Sequence, residues 1–490
     1  MTAVVSPTAS HPRRLVVLAI CCISVFMMGI DGSGVNVALP SIHRDLGTSI
    51  AGLQWTVDVY TLGVAALLMF SGSMGDRFGR RRVFLIGLGL FTLGSLLCGL
   101  APSLGWLIGF RALQAAGGSA LNPIAMSIIR SVFEDPSERS RAVGLWGATI
   151  GISMALGPLV GGLLVESAGW RYLFFVNIPI GIAAILLAAR WVPESRARRP
   201  RPIDPVGQLL MVILFVSLTF TIIEGTGLGW LSPVILALMA TWIIVLVALP
   251  LYELHHPAPL LDPRFFRNLS FSASTVIAIC VFAALGGSIF LGTLYLQTVR
   301  GMNPLTAGLF ALPAAIGTAV FSPLTGRYLG RHGVRLPYLV TGIGLVISAF
   351  FFVTADAHSA LWKIACGYAV LGISLGTANP AITTTALTSI PADQAGIASA
   401  IASLSRQLGS SLGVAIVGAV VASTLTGDLS EGLVQADRPA WLIIASLGLI
   451  TIALAVTATQ RSPLSTLADT SPHAAPETTR AANPASAPTP

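Results

Sequence analysis

The sequence predicts an all-α integral membrane protein of fourteen spanning helices, two bundles of six with two extra central helices inserted between them. Three observations predict it. Of 490 residues, 54% are hydrophobic and 10% charged, against about 25% charged in soluble domains. Apolar runs of the length that a bilayer core demands, about 20 residues, recur along the whole chain. A glycine- and arginine-rich loop occurs twice, after the second run and after the tenth, as two duplicated halves would place it if two helices had been inserted between them. The 50 glycines and 30 prolines argue against a coiled coil, since membrane helices tolerate both residues and soluble ones avoid them.

In chain order the runs cover approximately residues 15–38, 51–73, 83–101, 105–129, 141–165, 173–191, 206–224, 232–254, 271–297, 304–326, 337–355, 361–384, 396–423 and 439–459. Arg13 and Arg14 ahead of the first run look like the charged start of a signal peptide, but no small-residue cleavage site follows, so a retained helix is expected. The expected organisation is an N-terminal segment 1–14, a first six-helix bundle 15–191, a basic loop 192–205, two inserted helices 206–254, a linker 255–270, a second bundle 271–459 and a tail 460–490. That tail, rich in Pro, Ala, Ser and Thr, is expected to be disordered.

An even number of spans puts both termini on one side, and the distribution of arginines says which. One set of loops holds Arg77, Arg80, Arg81, Arg82, Arg130, Arg139, Arg141, Arg196, Arg198, Arg199, Arg201, Arg264, Arg267, Arg327, Arg331 and Arg335. The other set holds Arg44, Arg171, Arg300, Lys363 and Arg438. The expectation is a multi-pass protein of the cytoplasmic membrane with both termini cytoplasmic. The net charge of +8 then reflects orientation and contact with lipid headgroups, not nucleic acid.

Lys363 is the only lysine and lies outside any glycine-rich phosphate loop, so ATP is not expected to drive this chain directly. The five cysteines sit in apolar runs without metal or redox spacing. His255 and His256 stand together at a boundary without clustered carboxylates, which argues against an intramembrane enzyme. No metal and no cofactor is expected; uphill work is left to an ion gradient, with protons as the coupling ion.

The first basic loop reads Gly72-Ser-Met-Gly-Asp76-Arg77-Phe-Gly79-Arg80-Arg81-Arg82. Its glycines permit a tight turn of about ten residues, and Asp76 can accept from an arginine or a helix N-terminus while Arg77 and Arg80 hold the cytosolic face. The second copy, Gly326-Arg-Tyr-Leu-Gly330-Arg331-His-Gly333-Val-Arg335, has Gly330 in place of the acid. In the fifth span, Gly157-Pro158-x-x-Gly161-Gly162 permits close packing and frees a backbone carbonyl; it serves either as a gating kink or as packing alone.

Here the residues resemble a known family: the major facilitator superfamily, and within it the fourteen-helix drug:proton antiporters. Asp76-Arg-Phe-Gly-Arg is similar to the superfamily's loop signature, and Gly157-Pro158-x-x-Gly161-Gly162 to its antiporter motif. Met28-Gly-Ile-Asp31-Gly-Ser-Gly-Val-Asn36-Val-Ala-Leu-Pro40, Trp170-Arg171-Tyr-Leu-Phe-Phe-Val-Asn177-Ile-Pro179 and Tyr295-Leu-Gln297 resemble segments of the fourteen-helix branch. Ser153 and Ala115 stand where glycine is usual, and Ser33 where threonine is common. The resemblance implies a major facilitator-type fold, gating roles for Gly72, Asp76, Arg77, Gly79, Arg80, Gly157, Pro158 and Gly161, and a proton-coupling role for Arg111.

Charges at membrane depth cost about 2.5–3.5 kcal/mol each on insertion scales, so Asp31, Asp58, Arg111 and Arg406 are functional candidates. At 1.5 Å per residue the first three lie roughly 9–11 Å below the outer surface, a common height at which they could meet. An acid beside an arginine holds its charge, and the same acid in a closed apolar cavity loses it, so alternating exposure can load and unload a proton. Asp31, flanked by Gly29, Gly32 and Gly34, is the first choice for that acid and Asp58 the second, with cationic substrate competing for the same site. Arg406 is either a substrate contact or a structural bridge. Gln54, Gln114, Asn122, Gln297 and Asn379 with Trp55, Phe26 and Tyr60 are further candidates to line an apolar cavity.

The expected function is proton-coupled efflux of drugs, antibiotics or other amphipathic or cationic small molecules, by a monomer. The alternative is a symporter that imports a small metabolite, because one fold can do both.

Overall fold

The structure, a computed structural model, describes residues 11–197, 204–256, 259–260, 262–390, 395–425 and 429–457. Arg198, Arg199 and Arg201, the first ten residues and the tail 460–490 lie outside the described residues.

Every expected run is a helix. They are α1 His11–Leu46, α2 Ile50–Phe78, α3 Arg80–Gly99, α4 Leu104–Val132, α5 Pro136–Ser167, α6 Tyr172–Trp191, α7 Pro205–Leu228, α8 Pro233–His255, α9 Leu269–Val299, α10 Pro304–His332, α11 Arg335–Val353, α12 Leu361–Thr388, α13 Ala395–Thr424 and α14 Arg438–Thr457. A short helix, Leu429–Ala436, precedes α14. By length and composition thirteen of the described helices can cross a membrane; α4, with 29 residues and a polar interior face, is the fourteenth. At 1.5 Å per residue α4 reaches roughly 43 Å, more than the hydrocarbon core.

The helix starts follow local chemistry. Asp135, Asp204, Ser232 and Asn303 each accept from a backbone N–H of the first turn, and each is followed by proline, whose missing N–H costs nothing there. The first basic loop is far tighter than its ten-residue expectation: α2 runs on through Arg77 and Phe78, and Gly79 alone separates it from α3. Gly79 has φ +112°, and Gly333 does the same between α10 and α11 at φ +77°. Both turns use the left-handed backbone that glycine adopts without a Cβ penalty.

Packing repeats with an offset of eight helices. The contacts α1 with α5, α3 with α4, α2 with α4, α3 with α6 and α1 with α6 recur as α9 with α13, α11 with α12, α10 with α12, α11 with α14 and α9 with α14. The halves meet where α2 packs on α13 and where α5 packs on α10, two contacts that the same relation exchanges. The inserted pair breaks this symmetry: α7 packs on both α2 and α13, and α8 packs on α7. Gln208 Nε2 of α7 donates to the Ala66 carbonyl at 2.5 Å, and Trp55 Nε1 of α2 donates to Glu224 Oε1 of α7 at 2.7 Å.

Candidate functional site

Between the halves lies a cavity of about 1930 Å³. Its walls come from α1, α2, α4 and α5 of the first half and from α9, α10, α12 and α13 of the second, the same four positions in each. Helices α6, α11 and α14 contribute nothing to it, and α3 only its first residue, Arg80. Asp76, Arg80, Arg130 and Asp262 stand among its lining residues, so the cavity reaches the end of the bundle that carries the arginine-rich loops.

The opposite end is closed by contacts between the halves. Gln54 Nε2 of α2 donates to the carbonyls of Val414 and Ala415 on α13 at 3.1 and 2.7 Å. Gln297 Nε2, in the π-helical turn Tyr295–Val299 that ends α9, donates to the Val37 carbonyl of α1 at 2.8 Å. Glu166 near the end of α5 accepts from Asn303 Nδ2 at 3.0 Å and from the Leu305 N–H at 3.2 Å at the start of α10, where the helix dipole favours a carboxylate.

Asp31 and Arg111 do meet. Arg111 Nη1 donates to Asp31 Oδ2 at 2.6 Å, both side chains being essentially inaccessible at 0 and 1% exposure. Gln114 and Asn177 donate to Asp31 Oδ1 at 2.9 and 3.1 Å, and both also donate to the Ser95 hydroxyl. Arg111 further donates to the Thr56 carbonyl and to Gln114 Oε1, and lies 4.2 Å from the centre of the Tyr60 ring. Five elements, α1, α2, α3, α4 and α6, thus converge on one buried ion pair. A buried pair with this many donors has its desolvation offset by hydrogen bonds; removing one partner strands the other. The network sits within the first half and does not line the cavity.

Asp58 is not brought to Arg111. It is buried on the face of α2 that meets α13, beside Ser411, and neither its carboxylate oxygens nor the Ser411 hydroxyl makes a hydrogen bond of normal geometry. Arg406 lines the cavity from α13, where Nη2 donates to the Ser403 hydroxyl at 3.0 Å and Nη1 to the Thr383 hydroxyl of α12 at 3.5 Å. Among the described residues no carboxylate lies within ion-pair distance of it.

At the first basic loop Asp76 pairs with Arg80 one turn on, at 3.0 Å, and Arg80 also donates to the Ser127 carbonyl of α4 at 3.4 Å. The chain after α6 clamps the turn: the Arg80 N–H donates to the Ser195 carbonyl at 2.9 Å and the Arg81 N–H to Glu194 Oε1 at 3.2 Å. A Cβ on Gly79 would stand 2.5 Å from Glu194 Oε1. Arg77 lies in the last turn of α2, and Gly72 lines the cavity a turn deeper than Asp76.

The glycine motif of α5 serves two contacts at once. Toward α1, a Cβ on Gly157 would meet the Ser33 hydroxyl at 1.8 Å and one on Gly161 would meet Gly34 Cα at 2.9 Å. Toward α10, a Cβ on Gly162 would meet the Pro304 carbonyl oxygen at 2.5 Å, and one on Gly308 would meet the Pro158 carbonyl oxygen at 2.3 Å. Ser153, where glycine is usual in the family, is accommodated by Gly29 on α1, whose own Cβ would meet the Ser153 hydroxyl at 1.8 Å. Small residues on one helix face serine on the other, which lets the two backbones approach.

Of the other proposed lining residues, Asn122 and Asn379 line the cavity, whereas Gln54 and Gln297 belong to the closed end. Gln114 and Tyr60 belong to the Asp31 network, Trp55 to the contact with α7, and Phe26 does not line the cavity. Two signals were missed. Asn122-Pro123 in α4 and Asn379-Pro380 in α12 are a second duplicated motif, placing one asparagine in each half of the cavity wall. Glu166 had no distinguishing local pattern; only the neighbouring start of α10 gives it a role.

Residues 21–414 match the family model described as Major Facilitator Superfamily. The chain is 36% identical over 423 residues to the multidrug resistance protein Stp of Mycobacterium tuberculosis, covering 86% of this chain and 79% of that one. It is 31% identical to the tetracenomycin C resistance and export protein of Streptomyces glaucescens, covering 85% and 78% of the two chains. Among solved structures, a peptide transporter POT in complex with sulfate superposes with a TM-score of 0.69 at 14% identity, over 91% of this chain and 96% of that one. With its repeated halves and its fourteen long helices, the chain belongs to the major facilitator superfamily, and its sequence motifs resemble the fourteen-helix branch.

Proposed function

We propose that this chain is a proton-coupled exporter of drugs or antibiotics, a secondary transporter and not an enzyme, working as a monomer in the cytoplasmic membrane with both termini inside. The observation that carries the reading is the cavity: bounded by matching helices of both halves, closed at one end and reaching the arginine-rich end. With those arginines on the cytoplasmic side, the cavity faces the cytoplasm and is positioned to load cargo there. The multidrug and antibiotic resistance relatives support export.

In this reading Asp31 takes up the proton. Ionised, it accepts from Arg111, Gln114 and Asn177 and ties α1 to α4 and α6. Protonation removes the charge that Arg111 is paired with, and the network loosens. Six residues further along α1, the Val37 carbonyl accepts from Gln297 of the other half, so a shift of α1 on releasing Arg111 is transmitted to the closed end. Asp58 offers a second carboxylate, which parting of α2 from α13 would expose. Opening the far end while closing the arginine end releases cargo outside.

The test is expression in a host stripped of efflux pumps, with a compound panel measured with and without a protonophore. Export predicts resistance and low intracellular drug that the protonophore abolishes. Gradient-driven accumulation of a metabolite would favour symport, and Asp31→Asn protein that still couples efflux to protons in liposomes would remove Asp31 from the coupling role.

A further inference from the structure

We propose that Arg406 makes the cavity selective for amphipathic anions: compounds with one carboxylate, sulfonate or ionised phenol on an apolar body. The inference rests on the transport reading of the cavity and specifies its cargo. Arg406 lies eleven residues into α13, roughly 16 Å from the arginine-rich end, which makes it the deepest charged side chain among the described residues of the wall.

The other charges of the cavity are near its mouth, and the carboxylates among them are already engaged. Asp76 is paired with Arg80; Asp204 caps α7 and accepts from the Tyr252 hydroxyl; Asp262 caps the turn Pro263–Arg267. Asp31 and Asp58 are buried away from the cavity, so among the described residues no carboxylate is presented at depth to receive a cation. Among the described residues, a guanidinium in that position has only the Ser403 and Thr383 hydroxyls as acceptors, which leaves most of its five N–H donors for a ligand. In a confined, largely apolar chamber its field is screened less than at a surface, so it attracts anions and repels cations. A planar fork also matches a carboxylate or sulfonate bidentately.

Neutral donors supplement it. Asn379 is one turn from Thr383 on α12, and Asn122 faces the cavity from the matching position of α4; neither side-chain amide is hydrogen-bonded among the described residues. The apolar body of the cargo meets side chains such as Met126, Phe282 and Ile289. This arrangement differs from an export site built on a buried acid, where the cargo would be a cation.

Purified protein in phosphatidylcholine nanodiscs, with empty nanodiscs as blank, is dialysed to equilibrium against three probes. They are 1-anilinonaphthalene-8-sulfonate, its neutral relative N-phenyl-1-naphthylamine, and tetraphenylphosphonium. The sulfonate is expected to bind at least tenfold more tightly than its neutral relative and than the cation. Arg406→Gln removes that preference, Arg406→Lys keeps most of it, and Arg406→Glu reverses it toward tetraphenylphosphonium. Equal binding of sulfonate and neutral probe by the wild type, or an unchanged ratio in Arg406→Gln, overturns the proposal. If Arg406→Gln does not fold, the wild-type ratio and Arg406→Lys decide alone. Because binding needs no gradient, a protein that pumps cations but binds no sulfonate refutes this assignment and leaves export standing.

Discussion

Gln54 of α2 reaches across the interface to the carbonyls of Val414 and Ala415 on α13, one donor group serving two acceptors of the other half. Gly418, a turn further along α13, makes room for it, since a Cβ there would lie 2.4 Å from the Gln54 amide carbon. This contact sits above Asp58 and Ser411 and closes the route from them to the far end.

Replacing Gln54 by leucine therefore favours the state open at the far end. Two hydrogen bonds of about 0.5–1.5 kcal/mol each shift that equilibrium by roughly five- to 160-fold. In a background without the native cysteines, Ser411→Cys should react with a membrane-impermeant maleimide added from the far side faster in Gln54→Leu than in the parent. Equal rates would show that the other two bridges alone hold this end shut.

The Asp31–Arg111 pair predicts a pattern of coupled losses. Asp31→Asn or Arg111→Gln alone leaves a buried group unmatched and should destabilise by about 3–5 kcal/mol, read as a fall in melting temperature. The double variant should recover a large part of that loss while remaining uncoupled in transport. Additive losses in the double variant would mean that the two side chains act independently.

The glycines of α5 should separate by what they face. At Gly157 the obstacle is the end of the Ser33 side chain, so Gly157→Ala combined with Ser33→Ala should fold close to normally. At Gly161 the obstacle is the backbone of Gly34, which cannot move aside, so Gly161→Ala should cost about 1–3 kcal/mol with no rescue from residue 33. Thermal denaturation of the purified variants in detergent measures both.

At the first basic loop, Gly79→Ala combines a left-handed backbone with a clash against Glu194 and should lower stability by more than 1 kcal/mol, roughly the cost of the backbone alone. Asp76→Asn should cost about 0–1 kcal/mol, because the Asp76–Arg80 pair is partly exposed, with side-chain accessibilities of 32 and 19%. Any large transport defect in Asp76→Asn would then be a matter of conformational cycling and not of folding, and comparing melting temperature with transport rate decides it.

The spans and the duplication were legible because each leaves a long, repeated chemical signature: apolar runs set by bilayer thickness, and Gly79 and Gly333 at matching places. The height of Asp31, Asp58 and Arg111 was legible too, from helix rise. Which of them meet was not, because height says nothing of direction around the helix. Asp31 faces α4 and α6, whereas Asp58 faces α13, and that choice is made by helices distant in sequence. The one-residue turn at Gly79 escaped notice because polar Ser73, Asp76 and Arg77 look like a loop yet complete α2 as its cavity-facing and terminal turns. The closed end depends on side chain to carbonyl bonds, such as Gln297 to Val37, that have no sequence pattern.

The inserted helices make the two flanks of the molecule unequal. Along one, α7 straddles the line where α2 meets α13, and α8 lies outside it with Ile244, Leu246, Val247 and Leu251 turned outward. Along the other, where α5 meets α10, no described helix plays that part, and Leu163 and Val320 are uncovered. In a bilayer, acyl chains lap directly against that second flank while the added pair holds them off the first, so lipid composition acts on the two sides of the rocking motion with different force.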